Sequence, residues 1–514
     1  MSLPLAASRP AIIIGPNLRE IVLAAERALA NEPNVFQRAG SIVEVLRQEA
    51  TPASGGPATG LRRTIGAPVI HAIAPAKLRL HLASCVAWQR ERGDKLVATS
   101  PPDWAAHGLC GYGEWASLRP LTAVVEAPML RADGSLLDTP GYDTATGLVY
   151  APNLDFGRMP EPPTRADAQE ASALLDRLVV DFPFESAAHR AGWKAGILTP
   201  FARAVIDGPC PLFLIDANVA AAGKGLLAEL CALIFSGRVP ALMSQALSED
   251  EERKRITTVL LGGDPIILID NLTGPFGSGA LDAALTAREW CDRMLGSNRS
   301  VRLPLLATWW ATGNNVILAG DTHRRVVHIR LESPLERPEE REDFAHRDLR
   351  AHALERRVEI VRAVLTLLSA YVQAGMPDMG LRTWGSFERW SAFIRGALVW
   401  AGDADPFEAR AELIARSDTE RAALTALIES IETKWPRGVT VAAILRLLEE
   451  TRDTYPDPNA ELRTAVAELC RRAPRSLRRR SARACAGCAA ASSEVARSTS
   501  WARNTASPSG VSAP

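Results

Sequence analysis

Five polar residues stand at or near the ends of apolar runs in the middle of the chain: Lys224, Asp270, Asn314, Arg324 and Arg325. Their side chains are of the kinds that handle phosphate groups, since cations hold phosphate oxygens, a carboxylate can hold Mg²⁺ and an amide can orient a water molecule. The apolar runs read as buried strands, and ligands bind where the carboxyl ends of parallel strands meet. The pattern therefore predicts one phosphate-handling site.

Lys224 follows an apolar run, residues 211–216, and a loop of small residues. This strand, loop and helix pattern provides an anion site, because N–H groups point outward at the helix N-terminus. The usual phosphate-loop pattern is G-x-x-x-x-G-K-[ST], but here Asn218 replaces the first glycine and Gly225 replaces the hydroxyl residue. Taken alone, a Gly-Lys pair is commonly just a turn. The residues expected to bind the nucleotide are Asn218, Ala222, Gly223, Lys224, Gly225 and Leu226.

Asp270 ends the apolar run that begins at Ile266, so it is expected to hold Mg²⁺ directly or through water. The next residue, Asn271, occupies the position at which many ATPases carry a second acid that polarises water. An amide cannot accept a proton in that role. Either the base comes from elsewhere, with the weak candidates Glu249, Glu251 and Glu252, or hydrolysis is slow.

Asn314 ends a third apolar run, residues 305–312, and its amide could orient a water molecule against a γ-phosphate. Arg324 and Arg325 follow ten residues later, just before the apolar run 326–329. A guanidinium group there could reach the γ-phosphate of a neighbouring subunit and stabilise transition-state charge. The ordinary alternatives are a Gly-Asn turn and a solvated pair of charges.

Together these parts resemble the superfamily 3 helicase ATPases, especially the primase–helicase modules of phages, poxviruses and plasmids. The resemblance lies in residues 216–227, 266–271, 286–315 and 321–331, and residues 141–150 resemble the N-terminal extension of such proteins. It implies an AAA+-like P-loop ATPase that uses ATP and Mg²⁺, forms a homo-hexameric ring and works with a primase or another replication protein. It also implies contact between single-stranded DNA and a basic segment that contains Arg288, Arg293, Arg299 and Arg302.

The expected fold class is α/β: a P-loop NTPase core with a parallel sheet, a mixed α/β N-terminal region and a mainly helical C-terminal region. The expected boundaries are 1–160 for the N-terminal region, 185–335 for the core and 340–470 for the helical region, which could end in a winged-helix module. Local patterns predict a strand over 11–14, helices over 18–30, 39–49, 76–92, 164–182 and 186–207, and hairpins over 124–150. Further helices are expected over 347–373, 384–400, 406–434, 439–451 and 459–471.

The amino-acid composition alone does not indicate a class of function. The 514 residues contain 59 basic and 59 acidic side chains, with no apolar run long enough to span a membrane and no evident secretory signal. Eight scattered cysteines indicate reduced thiols and a cytoplasmic location. The arginine-rich segment 471–514 is expected to be a disordered basic tail, or else the product of a shifted reading frame at a truncated gene end.

Three functions stay open at this point. The first is an ATP-dependent DNA helicase or translocase of a mobile-element replication system. The second is a nucleotide-binding scaffold or loader with little or no hydrolysis, which Gly225 and Asn271 favour. The third is an interaction protein that has lost nucleotide binding.

Overall fold

The computed structural model of the chain describes residues 9–47, 66–157, 162–246, 248–293, 300–335, 337–410, 426–436, 438–451, 454 and 457–472. Contacts within the chain divide it into two compact units, Met1–Arg410 and Ala411–Pro514. The finer division into four regions remains a prediction. The expected basic tail lies outside the described residues, apart from the two residues that end the last helix.

The N-terminal region mixes short strands with helices, as expected from the sequence. Its strands are β1 Ala11–Ile14, β2 Val35–Arg38, β3 Ser41–Arg47, β4 Pro68–Ala72, β5 Ala87–Arg92, β6 Lys95–Ala98, β7 Ala123–Val125, β8 Met129–Leu130, β9 Leu136–Leu137, β10 Gly141–Asp143 and β11 Leu148–Tyr150. Its helices are α1 Leu18–Leu29, α2 Pro75–Cys85 and α3 Asp103–Gly111. The strands form small sheets in the orders β1-β5-β6, β2-β3-β4 and β10-β11-β7, with the hairpin β8-β9. The predicted strand 11–14, helix 18–30 and hairpins in 124–150 are confirmed.

One predicted helix in this region is wrong, and another is confirmed only in its first part. The helix expected over 39–49 is strand β3, because Ala39 and Gly40 both have positive φ, 51° and 69°. Two such residues form the tight turn that joins β2 to β3. The helix expected over 76–92 ends at Cys85, and the chain continues as β5, which pairs in parallel with β1. Tertiary pairing outweighs local helical spacing in both places.

The core is a five-stranded sheet in which every neighbouring pair is parallel. Its strands are β12 Leu212–Ala217, β13 Ala241–Ser244, β14 Ile266–Leu272, β17 Thr308–Asn314 and β18 Val326–Leu331, in the spatial order β13-β14-β17-β12-β18. The helices of this part are α4 Arg165–Leu178, α5 Ala187–Phe201, α6 Lys224–Ser236, α7 Glu249–Gly262 and α8 Gly279–Thr286. Between β14 and β17 the chain makes the antiparallel hairpin β15 Glu289–Arg293 and β16 Ser300–Pro304. The carboxyl ends of β14, β17 and β12 therefore lie side by side.

Close packing of α5 on the sheet depends on a glycine. A Cβ atom on Gly196 would lie 2.3 Å from the ring of Trp310, which is fully buried on β17. The ring of Trp310 also packs against Phe213 of β12, with centroids 5.0 Å apart. The two strands that carry the candidate site are thus fixed to each other and to a covering helix.

The rest of the first unit is helical, as predicted, but with more breaks. It contains α9 Leu349–Glu355, α10 Arg357–Gln373, α11 Glu388–Trp390, a π-helical segment Ser391–Arg395, α12 Gly396–Ala401 and a short 3₁₀ helix Pro406–Ala409. The single helix predicted over 347–373 is divided at Arg356, and the buried Arg357 beyond the break donates to the carbonyls of Ile234 and Phe235.

The second unit contains helix α13 over residues 426–434, α14 Val441–Glu450 and α15 Ala460–Arg472. The helices predicted over 439–451 and 459–471 are confirmed, with a small core that includes Ile444, Leu448 and Leu462. Of the helix predicted over 406–434, residues 406–409 form a short 3₁₀ helix and residues 426–434 form α13. Residues 411–425 lie outside the described residues. Among the helices described, none has both the length and the apolar character needed to cross a bilayer.

Candidate functional site

The loop after β12 forms the floor of the site. Gly223 has φ +85°, and a Cβ atom there would lie 2.8 Å from the ring of Phe182, so this position requires glycine. Helix α6 begins at Lys224, and within the described part of the chain no side chain caps its first turn. The free N–H groups and the positive end of the helix dipole favour an anion at this point.

A cavity of about 460 Å³ opens above the loop, within the size range of small-ligand sites. It is lined by the loop, by the first turn of α6 and by the ends of β14 and β17: Ala220, Ala221, Gly223, Lys224, Gly225, Leu226, Asp270, Asn271, Thr312, Gly313 and Asn314. The structure therefore brings together most of the residues that the sequence singles out. A second cavity of about 480 Å³ lies at the amino ends of the core strands; it is lined by Arg288 but by none of the residues expected to bind the nucleotide or the metal.

Lys224 reaches across the cavity to the neighbouring strand. Its Nζ donates to Asn314 Oδ1 at 2.6 Å and to the carbonyl of Val219 at 3.2 Å. Partial burial lowers the pKa of Lys224, and the nearby carboxylates of Asp216 and Asp270 oppose that effect. A phosphate that entered the cavity would compete with the amide of Asn314 for the ammonium group.

Asp270 is exposed to the cavity and is oriented by Thr312, whose hydroxyl donates to Asp270 Oδ1. The same hydroxyl oxygen accepts the backbone N–H of Asn271 at 3.1 Å. Asn271 has φ +56°, and the pairing of β14 with β17 shifts register between Ile269 and Leu272. Sequence reasoning missed Thr312. The available signal was its place two residues before Asn314, on the same face of one strand.

A buried ion pair lies directly beneath the loop. Arg330 Nη1 donates to Asp216 Oδ2 at 2.7 Å, and Arg330 Nη2 donates to Asn315 Oδ1 at 3.2 Å. Burial by itself would raise the pKa of Asp216, but the hydrogen bond and charge of His328, together with Arg330, outweigh it and leave that pKa lowered. The pair links the strand before the loop, β12, to the residue after Asn314.

Asn218 and Ala222 do not line the cavity, although both were expected to bind the nucleotide. The side chain of Asn218 makes a reciprocal pair of hydrogen bonds with the backbone of Ser333, at 2.9 and 3.1 Å. Ala222 is buried. Asn218 thus attaches the loop to the segment that follows β18, and both ends of its amide bond to Ser333, away from the cavity.

The two arginines differ in their surroundings. They lie in a 3₁₀ turn, Thr322–Arg325, outside the cavity of their own chain. The side chain of Arg325 is 19% exposed and pairs with Asp282 at 3.0 Å and with Asp321 at 3.2 Å. The side chain of Arg324 is 63% exposed, and among the described residues it forms an ion pair with Asp321 alone. Arg324 is therefore the one that is available to reach another molecule.

The basic segment expected to contact DNA forms the β15–β16 hairpin. Arg293 is exposed at the end of β15, whereas Arg302 pairs with Glu289 across the hairpin at 3.4 Å. Arg288 pairs with Asp207 at 3.2 Å. Arg299 lies outside the described residues. Of these three arginines, Arg288 and Arg302 form ion pairs with described residues, whereas the side chain of Arg293 is exposed and is the best placed of the three to contact a phosphate.

The three glutamates considered as bases lie in the first turn of α7 and do not line the cavity. Glu251 pairs with Arg255 at 3.1 Å. Glu252 accepts the hydroxyl of Ser278, and burial raises its pKa. In this conformation none of the three is placed to act on a water molecule in the cavity.

Comparison with known proteins gives no family assignment. No family model matches the chain, and the search of curated proteins found no match. Among solved structures the chain is similar to the apo C-terminal region of NrS-1, with 11% identity over 83% of each chain and a TM-score of 0.34. It is also similar to the SCCmec type IV Cch active helicase, with 11% identity over 78% of this chain and 82% of that one and a TM-score of 0.32.

A JCV helicase, solved with a bound acetamide compound, is a further match. The identity is 15%, the match covers 52% of this chain and 73% of that one, and the TM-score is 0.20. At such scores the function has to be inferred from the residues of the site itself.

Proposed function

We propose that the chain is an ATP-dependent helicase-like or translocase-like ATPase that acts on single-stranded DNA in the replication system of a mobile element. The observation that carries the proposal is the convergence of Lys224, Asp270 and Asn314 on one cavity above an uncapped helix N-terminus. A cation, a carboxylate, an amide and free backbone N–H groups are what a nucleoside triphosphate with its metal requires.

The residues present fit a magnesium ion that is held mostly by phosphate and water. In the described part of the chain no group of three or more His, Cys, Asp or Glu side chains could hold a metal ion. Mg²⁺ commonly binds through one or two carboxylates and the substrate phosphates, keeping several waters. Asp270, oriented by Thr312, supplies one such carboxylate. When bound, the ion would neutralise charge on the β- and γ-phosphates.

The chain's own residues then have separable roles. Lys224 would leave Asn314 and bind the phosphates, which frees the amide of Asn314 to orient the attacking water. The water oxygen would form the new bond to the γ-phosphorus as the bond to the bridging oxygen breaks, the proton of the water would pass to an oxygen of the transferred phosphoryl group, and ADP and phosphate would leave. Arg324 would act on the γ-phosphate held by a neighbouring subunit, so turnover would require a ring, which we expect to be a hexamer.

The test is ATP hydrolysis by the purified full-length chain with Mg²⁺, with and without single-stranded DNA. We expect turnover that DNA stimulates and that Lys224→Ala removes. Lys95→Ala is the matched control, because Lys95 is exposed on β6 in the N-terminal region, outside the cavity. Turnover that persists in Lys224→Ala would contradict the assignment of the phosphate site.

A second function, a scaffold or loader that binds ATP with little or no hydrolysis, is favoured by two positions in the same cavity. Gly225 supplies no hydroxyl for the metal, and Asn271 cannot accept a proton from water. This function predicts ATP-dependent assembly, measured by sedimentation, without phosphate release. Phosphate release that single-stranded DNA stimulates and that Lys224→Ala removes would exclude it.

A further inference from the structure

We propose that Trp384, assisted by Arg410, is a positioning residue that fixes the backbone of Arg324 for action on a neighbouring subunit. The indole N–H of Trp384 donates to the carbonyl oxygen of Arg324 at 2.9 Å. Arg410 Nη2 donates to the same oxygen at 3.4 Å. The inference rests on the proposed function, because it concerns the residue to which that function assigns turnover in trans.

Trp384 is itself held rigidly. Its side chain is buried, and its ring packs nearly perpendicular to those of Phe387, Trp390 and Phe407, with centroids 5.4 to 6.5 Å apart. The guanidinium group of Arg410 lies 4.7 Å from the centroid of the Trp384 ring. Edge-to-face aromatic pairs and cation–π contacts each favour one ring orientation. The indole N–H therefore has a fixed direction.

The arrangement gives Arg324 a fixed backbone and a free side chain. The turn that contains Arg324 lies at the surface, where a backbone carbonyl ordinarily bonds to water. Here that carbonyl instead receives two donors from the interior, one of them from a buried tryptophan. The guanidinium group at the other end of the residue is exposed, and in the part of the chain that the structure describes its one ion pair is with Asp321, three residues earlier. A misplacement of a reacting group by about 1 Å can lower the rate by about 10²-fold. A fixed backbone at Arg324 would therefore help its guanidinium group reach one defined position.

The experiment compares Trp384→Phe with Trp390→Phe in the full-length chain. Both substitutions keep an aromatic ring and remove a buried indole donor from the same aromatic cluster. Trp390 donates to the hydroxyl of Thr199 at 3.0 Å, not to the arginine turn. We expect kcat for ATP to fall by about 10-fold in Trp384→Phe with KM little changed, and to stay near wild type in Trp390→Phe. Melting temperatures should fall by similar amounts.

A double-mutant cycle separates positioning from a general structural effect. In an Arg324→Ala background, Trp384→Phe should cause no further loss of kcat, because the side chain that it positions is already absent. Losses that multiply would overturn the inference. Arg410→Lys is the second variant if Trp384→Phe does not fold. It should also lower kcat, because the ammonium group of lysine does not reproduce the planar guanidinium group that donates to the Arg324 carbonyl and lies over the Trp384 ring.

The outcomes distinguish the two levels of the proposal. A wild-type chain without ATP turnover would overturn the proposed function and this inference with it. A wild-type chain that hydrolyses ATP, beside a Trp384→Phe variant that matches Trp390→Phe in kcat, would overturn this inference and leave the proposed function standing.

Discussion

At the scale of single residues, the site differs from the usual phosphate loop in ways that the cavity makes testable. Gly225 stands where a Ser or Thr usually reaches Mg²⁺, and Thr312 on a neighbouring strand contributes the hydroxyl that orients Asp270. The Thr312 hydroxyl engages the carboxylate directly, whereas a hydroxyl at position 225 would sit on α6. Substitutions at Thr312 therefore test how the carboxylate of Asp270 is oriented, and substitutions at Gly225 test how many ligands the protein offers the metal.

Gly225→Ser should increase turnover. A Cβ atom at this position would meet no described heavy atom within 4 Å, and Gly225 is not among the residues with positive φ. The added hydroxyl would supply the missing ligand, so we expect the Mg²⁺ concentration for half-maximal ATPase to fall by about tenfold, the size of one good polar contact. Gly225→Ala is the matched control, since it adds the Cβ and the helix propensity without the oxygen. Equal behaviour of the two variants would count against a metal at this point.

Thr312→Val should have the opposite effect. The variant keeps the shape of the side chain but removes the donor to Asp270 and the acceptor for the Asn271 N–H. Residues that orient a metal ligand are commonly worth about 10–100-fold in metal affinity. We expect a rise of that order in the Mg²⁺ requirement of the ATPase, with recovery in Thr312→Ser. A Mg²⁺ titration that matches wild type would show that Asp270 needs no such partner.

At the scale of elements, the position of the site could be predicted from the sequence, but the buried ion pair beneath its loop could not. Asp270 and Asn314 lie at or just beyond the ends of apolar strand patterns and Lys224 ends the loop that follows another, and parallel strands bring such ends to one edge whatever their exact order. Asp216 and Arg330 meet only because β12 and β18 are neighbours in a register that sets these two residues opposite each other. No local pattern encodes that register. The helix over 39–49 is predicted incorrectly for a similar reason: the pairing of β2 with β3 across a two-residue turn decides the structure there.

The buried pair between β12 and β18 yields a prediction about stability. Arg330→Met would leave the carboxylate of Asp216 buried without the guanidinium group that lies 2.7 Å from it, a change that costs roughly 3–5 kcal/mol when a buried pair is broken. Asp216→Asn combined with Arg330→Met should recover part of that loss. The measurement is the denaturant midpoint of the full-length chain at pH 7. A midpoint unchanged in Arg330→Met would show that the pair contributes little.

The same pair sets the sign of a pH effect. Because the pKa of Asp216 in the folded chain is below its ordinary value of 3.8, its contribution is present above that value and is lost as the pH falls through the lowered pKa. In Arg330→Met the pKa of Asp216 should rise, because the positive charge of Arg330 no longer stabilises the carboxylate. We therefore expect the difference in midpoint between wild type and Arg330→Met to shrink between pH 7 and pH 4. A difference that stays constant would mean that Asp216 does not titrate in that range.

At the scale of the whole molecule, the proposed function makes the site of one subunit incomplete. The cavity contains a cation, a carboxylate and an amide, but the exposed Arg324 lies outside it, so a γ-phosphate on which Arg324 acts would have to be held by another subunit. Arg325 is held by Asp282 and Asp321 and is better suited to fixing the turn. The ring that the proposed function requires is therefore tested through Arg324.

Mixing two variants that each lack normal turnover tests the ring. Lys224→Ala subunits keep a wild-type arginine turn, and Arg324→Ala subunits keep a wild-type phosphate loop. A mixed ring therefore contains some interfaces in which an intact loop faces an intact Arg324, and ATPase activity should partly return. An arginine acting in trans is worth about 10³–10⁵ in turnover, so even a small fraction of such interfaces should be measurable. A mixture of Lys224→Ala with Asp270→Ala is the matched control and should stay inactive, because both lesions line the same cavity and no interface is then complete. If the first mixture also stays inactive while subunits demonstrably exchange, or if Arg324→Ala alone hydrolyses ATP normally, then Arg324 does not act in trans and the ring is not needed for turnover.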